Sequence, residues 1–355
     1  MITGSVRKNR FLLALIVSAS VLSSCTMIPA FETPSFFGEE RTWEDIPGYQ
    51  FPNDAKVLSD LSFYEYFSAS DLQFVINTAL QNNRDLRLAV LTIEEARQTY
   101  RISRSDLLPS VDGNGGASIS SSSDESSTTG RASRSEVYEA NLGITSYELD
   151  LFGRVRSLNE SALNDYLATE QAKIVVENAL IAEVANAYIQ LLTDQKLLAL
   201  TQKPLEAQKQ TYDLTRKSLE LGVSTAQDAS RALPAVETAE VNRHQYTRQV
   251  EQDKNALFLL MGVKRGSIDI PEGALDDIAF EKDLDPGIPS QVLLARPDVR
   301  QAEFELLSAN ADIGAARAAF FPSVSLTGGY GFASQELGSL FAGDALGAWS
   351  FMPQV

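Results

Sequence analysis

Between Arg154 and Leu221 the chain holds no glycine and a single proline, while apolar residues return at Val184, Leu191, Leu198, Leu205, Tyr212 and Leu219, every seventh position. A sustained period of seven marks the seam of a left-handed coiled coil, because a straight helix of about 3.6 residues per turn drifts out of register with it. These 68 residues predict one helix of about 100 Å at 1.5 Å per residue. Past a break at Gly222 the pattern resumes, with Ala229, Val236, Val250 and Leu257 running beside Ala232, Ala239, Tyr246 and Leu260. Two antiparallel helices joined by a tight turn follow. Pro204 and Pro234 fall inside them at similar distances from the turn and read as tolerated kinks rather than hinges.

Lengths then demand a third partner. The returning helix, Ser224 to Gly262, covers only about 58 Å, so a second rising helix is required, and Ser290 to Phe321 supplies about 48 Å more. The polar stretch Val263 to Pro289, with Pro271, Pro286 and Pro289, reads as a side structure at mid-height. Ahead of the hairpin, apolar residues at Leu72, Val75, Ile76, Ala79, Leu80, Leu86, Ala89, Val90, Ile93 and Ala96 keep helical spacing from about Asp71 to Pro109. They predict a rod of about 57 Å that Asn82-Asn83 interrupts only gently.

Sliding the sequence by 213 positions pairs Asp85 with Asp298, Arg87 with Arg300, Ala89 with Ala302, Ala96 with Ala309 and Arg104 with Arg317. The match continues through Pro109-Ser110-Val111 onto Pro322-Ser323-Val324 and Gly115-Gly116 onto Gly328-Gly329. Two unrelated amphipathic helices would not also align their terminating proline, so the chain carries an internal duplication. After each proline the period changes to two: Val324, Leu326, Gly328, Tyr330 and Phe332 alternate with Ser325, Thr327, Gly329 and Gly331, and Tyr138, Ala140, Leu142 and Ile144 with Glu139, Asn141 and Gly143. These are strands with one apolar face, separated early on by the Ser-rich run SSSDESSTTGRASRSE. Two readings fit them, an outer-membrane hairpin with lipid-facing and lumen-facing residues in alternation, or a soluble antiparallel hairpin.

Charge and cysteine usage narrow the chemistry. Thirty Lys plus Arg against 47 Asp plus Glu give a net charge of -17, which disfavours nucleic acid and suits cationic solutes. One His and one Cys leave almost nothing for a metal site, a Cys/His nucleophile or a disulfide framework, so no cofactor, metal or catalytic residue is assigned and the chain is not expected to be an enzyme. Glu94-Glu95 are adjacent and cannot face each other on a helix as an acid/base pair, and His244, between Arg243 and Gln245, reads as a solvated face residue. At the N-terminus Arg7, Lys8 and Arg10 precede the run FLLALIVSASVL, too short to span a bilayer as a helix, and the single cysteine Cys25 follows in the context Leu22-Ser23-Ser24-Cys25. That order reads as a secretory signal ending in a lipidation site; an ordinary signal with an incidental cysteine is the alternative.

The lipobox, AL-x-NNRDLR at Ala79 to Arg87, SYELDLFGRVRS at Ser146 to Ser157, YTRQVEQDKNAL at Tyr246 to Leu257, and ARPDVRQAE followed by FFPSVSLTG together resemble the outer membrane factors, the TolC-like and OprM-like efflux lipoproteins of NodT type. The resemblance implies an α+β membrane protein, a homotrimer whose protomers give four strands each to a transmembrane β-barrel above a long coiled-coil α-helical barrel. It divides the chain into a lipoprotein signal (1–24), an extended arm (25–70), a first repeat (71–287) and a second repeat that is incomplete (288–355). On this view the second hairpin is cut off, and the Val184 to Leu219 seam is expected to be partly unpaired. The implied function is the outer-membrane duct of a tripartite efflux pump, lipid-anchored through Cys25, with a periplasmic adaptor (membrane fusion) protein and an inner-membrane transporter of the RND type as partners. The exit channel of a type I-like protein secretion system would use the same architecture. Leu221, Gly222, Val223 and Ser224 form the turn that the resemblance assigns to adaptor docking, with Thr26 after the cysteine directing the chain to the outer membrane.

Overall fold

The computed structural model describes residues 26–31, 62–122, 133–278, 290–341 and 346–355. The signal, Cys25, most of the 25–70 arm, the core of the Ser-rich run, Pro286 and Pro289 lie outside the described residues. The chain is α+β and forms two compact units: the described parts of Met1–Pro34, Ile93–Thr169 and Gln301–Val355 make one, and those of Ser35–Thr92 and Glu170–Arg300 the other.

The principal helices are α1 (Ser70–Asn82), α2 (Arg84–Ser105), α3 (Arg154–Glu220), α4 (Ala226–Leu260) and α5 (Pro297–Ala318). The long rod read from the seven-residue period is α3, 67 residues that run through Pro204, and α4 likewise runs through Pro234. Within the hairpin's own unit Val184, Leu191 and Leu205 are buried, as are Val236, Val250 and Leu257 of α4, while Leu198, Tyr212 and Leu219 are half-buried, so the seam is covered in part. What stays open is a second seven-spaced line, Leu200, Ala207 and Leu214 on α3 and Leu221 just past its end, all exposed.

In the same unit α1 buries Leu72, Val75, Ile76 and Ala79, the i, i+3, i+4, i+7 face of a helix, against Val184, Tyr188 and Leu191 of α3 and Leu257 and Met261 from the end of α4. Residues 263–278 flank this core with Ile268, Ile270 and Leu275, and Tyr188 donates its hydroxyl to Pro271 O at 3.1 Å. The gentle bend expected at Asn82-Asn83 is a full break. Asn83 leaves helical geometry (φ -58, ψ 134), its Oδ1 accepts the Leu86 N–H at 2.9 Å, and its Nδ2 donates to Leu260 O at 2.8 Å. One carboxamide thus caps the new helix and satisfies a carbonyl at the end of another. The rising helix expected from Ser290 also starts later. Ser290–Ala295 is 3₁₀, and α5 opens with Pro297 at its first position, where the missing N–H is not needed; proline also disfavours helical geometry at Arg296 before it.

The other unit holds β1 (Val111–Ser122), β2 (Ser133–Leu149), β3 (Val324–Ser334) and β4 (Leu346–Gln354), an antiparallel sheet in the order β1-β2-β3-β4. Each of β1 and β3 follows a helix and a Pro-Ser turn, as the 213-residue offset anticipates. Registers such as Leu142↔Tyr330 and Tyr330↔Trp349 line one face with Leu142, Ile144, Tyr330, Phe332, Trp349 and Phe351. The opposite face carries Asp112, Asn114, Glu139, Asn141, Thr327 and Ser350. Thr145 and Ser146 stand together opposite Thr327 as a β-bulge, with Ser146 at φ 54 and its N–H donating to Thr327 Oγ1 at 3.2 Å. The extra residue returns Tyr147 to the apolar face, paired with Leu326.

Candidate functional sites: the membrane sheet and the docking tip

The sheet is amphipathic across its width, and among the described residues its two edges are open, since β1 and β4 each pair on one side. Exposed aromatics dominate one face: Trp349 is 77% accessible, and Tyr330, Phe332 and Phe351 surround it. Large aromatic rings on an open sheet face fit lipid, and the hydroxyls, amides and carboxylates of the other fit a watered lumen. Gly331 makes the approach of β3 to β2 possible, because a Cβ there would stand 2.4 Å from Asn141 Cβ and 2.6 Å from Ala140 O.

Below the sheet, the ELDLFGRVRS run turns the chain from β2 into α3. Asp150 accepts the N–H groups of Val155 (3.3 Å) and Arg156 (3.0 Å) and the Arg156 guanidinium Nε at 2.9 Å, so it caps α3. Burial raises its pKa, but the Arg156 backbone and guanidinium contacts outweigh that and hold the carboxyl below its ordinary 3.8. Phe152 stacks on Phe321 with centroids 4.5 Å apart, and Arg154 donates to Glu148 at 2.8 Å.

At the far end of α3, the Val223 N–H donates to Ser218 O (2.8 Å) and the Gly222 N–H to Leu219 O (2.9 Å), a Schellman turn closed by Gly222 at φ 78. Two residues later Thr225 caps α4 in a reciprocal box: its N–H donates to Asp228 Oδ2 at 3.1 Å and Asp228 N–H to Thr225 Oγ1 at 3.2 Å. The Thr225 hydroxyl, then its N–H, lower the Asp228 pKa. Every backbone N–H from Leu221 to Thr225 is therefore satisfied locally, yet Leu221 (79% exposed) and Val223 (81%) point apolar side chains outward. Ser224 is half-buried beside them.

Glu94 and Glu95 are exposed, with Arg97 and Gln98 beside Glu94, and His244 is exposed next to Arg243. Among the described residues no three His, Cys, Asp or Glu side chains come together. The reading from sequence missed a buried pair, Asp194 and Asp253. Its signal was present, because Asp253 lies on the line Ala232, Ala239, Tyr246, Leu260 and breaks an otherwise apolar series.

The sequence profile of the outer membrane efflux protein family matches residues 75–263 and 288–355. The chain is 43% identical to the toluene efflux pump outer membrane protein TtgC of Pseudomonas putida over 98% of its length and 71% of the relative's. It is 36% identical to the outer membrane protein OprJ of Pseudomonas aeruginosa, covering 98% of this chain and 72% of OprJ. Among solved structures, the open state of the Neisseria gonorrhoeae MtrE outer membrane channel superposes with a TM-score of 0.77 at 38% identity, over 93% of this chain and 72% of that one. The sheet, the hairpin and these relatives define an outer-membrane channel component of an efflux pump. The chain belongs to the outer membrane efflux protein family.

Proposed function

We propose that this chain is one protomer of a passive export duct, a homotrimer that carries small molecules delivered by a periplasmic adaptor and an RND-type inner-membrane transporter across the outer membrane. The amphipathic four-stranded sheet with open edges carries this reading. Lipid tolerates no unpaired strand edge, and the smallest membrane barrels have about eight strands, so four must be completed by other copies. The exposed line Leu200, Ala207, Leu214 and Leu221 supports lateral partners along α3 as well. Within this reading the division into residues 1–24, 25–70, 71–287 and 288–355 stands as two repeats behind a signal and an arm, Cys25 carries the lipid anchor, and Leu221 to Ser224 form the adaptor contact. The toluene named for TtgC makes apolar aromatic compounds the first substrates to try.

Deleting the gene should raise cellular accumulation of a fluorescent efflux substrate, and returning it should restore export. Unchanged accumulation, with a secreted protein lost from the medium instead, would replace drug export by protein export. Mass spectrometry of the mature N-terminus tests the anchor, which an unmodified Cys25 would remove.

A further inference from the structure

The seam between α3 and α4 is broken at one level. Asp194 follows Leu191 by one turn and Asp253 follows Val250 by one turn, so each helix sends a carboxyl into the interior. Both are buried, Asp194 to 4% exposure and Asp253 to 9%. Gln190 Nε2 donates to Asp194 Oδ2 at 2.9 Å, and Gln249 Nε2 donates to Asp253 Oδ1 at 3.0 Å. The second Asp253 oxygen, Oδ2, is sealed from solvent without a donor, and Asp194, buried on the neighbouring helix, is the carboxyl that acts on Asp253. Two ionised carboxylates are both acceptors, so they can bond only when one carries a proton. In apolar surroundings two like charges in contact cannot both persist.

The cations next to the two carboxyls in sequence are engaged elsewhere. Lys196 of α3 pairs with Asp276 of the 263–278 segment at 2.7 Å, and Lys254 of α4 pairs at 3.0 Å with Glu251, which also takes Arg265. From α1, Asp71 acts on the Tyr188 hydroxyl. We propose that Asp194 and Asp253 share one bound proton that locks α3 to α4 at this level, so that the packing of the hairpin responds to the pH around it. That the hairpin is a duct wall rests on the export reading above; the proton does not.

Burial pushes the Asp253 carboxyl above its ordinary 3.8, and the Asp194 carboxyl pushes it further against the opposing Gln249 amide. The unfolded chain releases this proton near 3.8 while the folded chain keeps it to higher pH. Stability contributed here therefore falls as pH rises between those two values and is level on either side. The opposite slope belongs to Asp150, whose pKa is lowered.

The test is thermal unfolding of the purified chain in detergent, followed by helical circular dichroism from about pH 4.5 to 8, across and above the ordinary carboxylate range. In the wild type the melting temperature should carry a component that declines with rising pH. Asp253→Asn and Asp194→Asn, whose amides can donate to the remaining carboxylate, should each lose that component. An unchanged pH profile in both variants overturns the proposal. Should neither variant fold, infrared spectroscopy of the wild type decides: a protonated-carboxyl stretch that outlasts the ordinary carboxylate titration and vanishes on further alkalinisation is expected, and its absence overturns the pair. Neither readout uses transport, so failure here is distinguishable from failure of the export reading.

Discussion

Gly222 and Gly262 have the same backbone sign, φ 78 and φ 67, and opposite surroundings. A Cβ on Gly222 meets nothing within 4 Å, whereas one on Gly262 would stand 2.3 Å from Asn82 O and 2.7 Å from Asn82 C. Gly222→Ala should cost only the left-handed strain of about 1 kcal/mol, and Gly262→Ala should cost upwards of about 3 kcal/mol, because backbone must move at the Asn82-Asn83 break. Equal shifts in melting temperature would contradict this. Asp150 is a third telling residue: Asp150→Ala removes the cap of α3 and strands the Arg156 N–H, at about 1–2 kcal/mol. Its carboxyl is held below 3.8, so its contribution is complete above that value and is lost as pH falls through the lowered one. Asp150→Asn should accordingly be less acid-sensitive than the wild type, as melting curves at falling pH would reveal. The conformational need at Gly222 was legible because it ends a periodic run. Gly262 was not, since what forbids a side chain there lies about 180 positions away in sequence.

The hairpin is the element that sequence describes best. Its seam positions were read from a period, a property of each helix alone, and the structure buries or half-buries all of them. The break at Asn83 was hidden because apolar spacing continues across it, and what stops the helix is a hydrogen bond to Leu260 O on another element. The start of α5 was misplaced by seven residues because the apolar pattern gives no weight to the conformational limits around Pro297. Burial separates two leucines of α3 that composition treats alike. Leu205 lies in the buried part of the seam and Leu214 on the exposed line. Leu205→Ala should destabilise the hairpin by about 2–5 kcal/mol. Leu214→Glu should leave its melting near the wild-type value and instead weaken assembly, measured as loss of the oligomer by native mass spectrometry in detergent. Intact oligomer in Leu214→Glu would remove that line as a contact surface.

For the molecule as a whole, the sheet and the turn make separable demands. Trp349 and Ser350 are neighbours on opposite faces of β4. Trp349→Arg puts a charge on the aromatic face, worth about 2–4 kcal/mol against insertion near mid-membrane, while Ser350→Arg should be accepted by the polar face. Comparable outer-membrane yields for the two would contradict the assignment of faces. The turn is tested at unchanged yield. Thr225, Asp228 and the Schellman bonds already satisfy its N–H groups, so folding has no use for the exposed side chains of Leu221 and Val223. Val223→Asp should therefore fold, insert and assemble as the wild type does. If an adaptor packs against this turn, the new carboxylate is buried there without a partner and costs about 2–5 kcal/mol of contact energy, roughly 30-fold to several-thousand-fold in affinity. The expected result is a normally abundant outer-membrane channel that no longer supports resistance to the pump's substrates. Val223→Ala, which only trims the contact, should lose far less. Full resistance in Val223→Asp at wild-type abundance would move the adaptor contact away from Leu221 to Ser224.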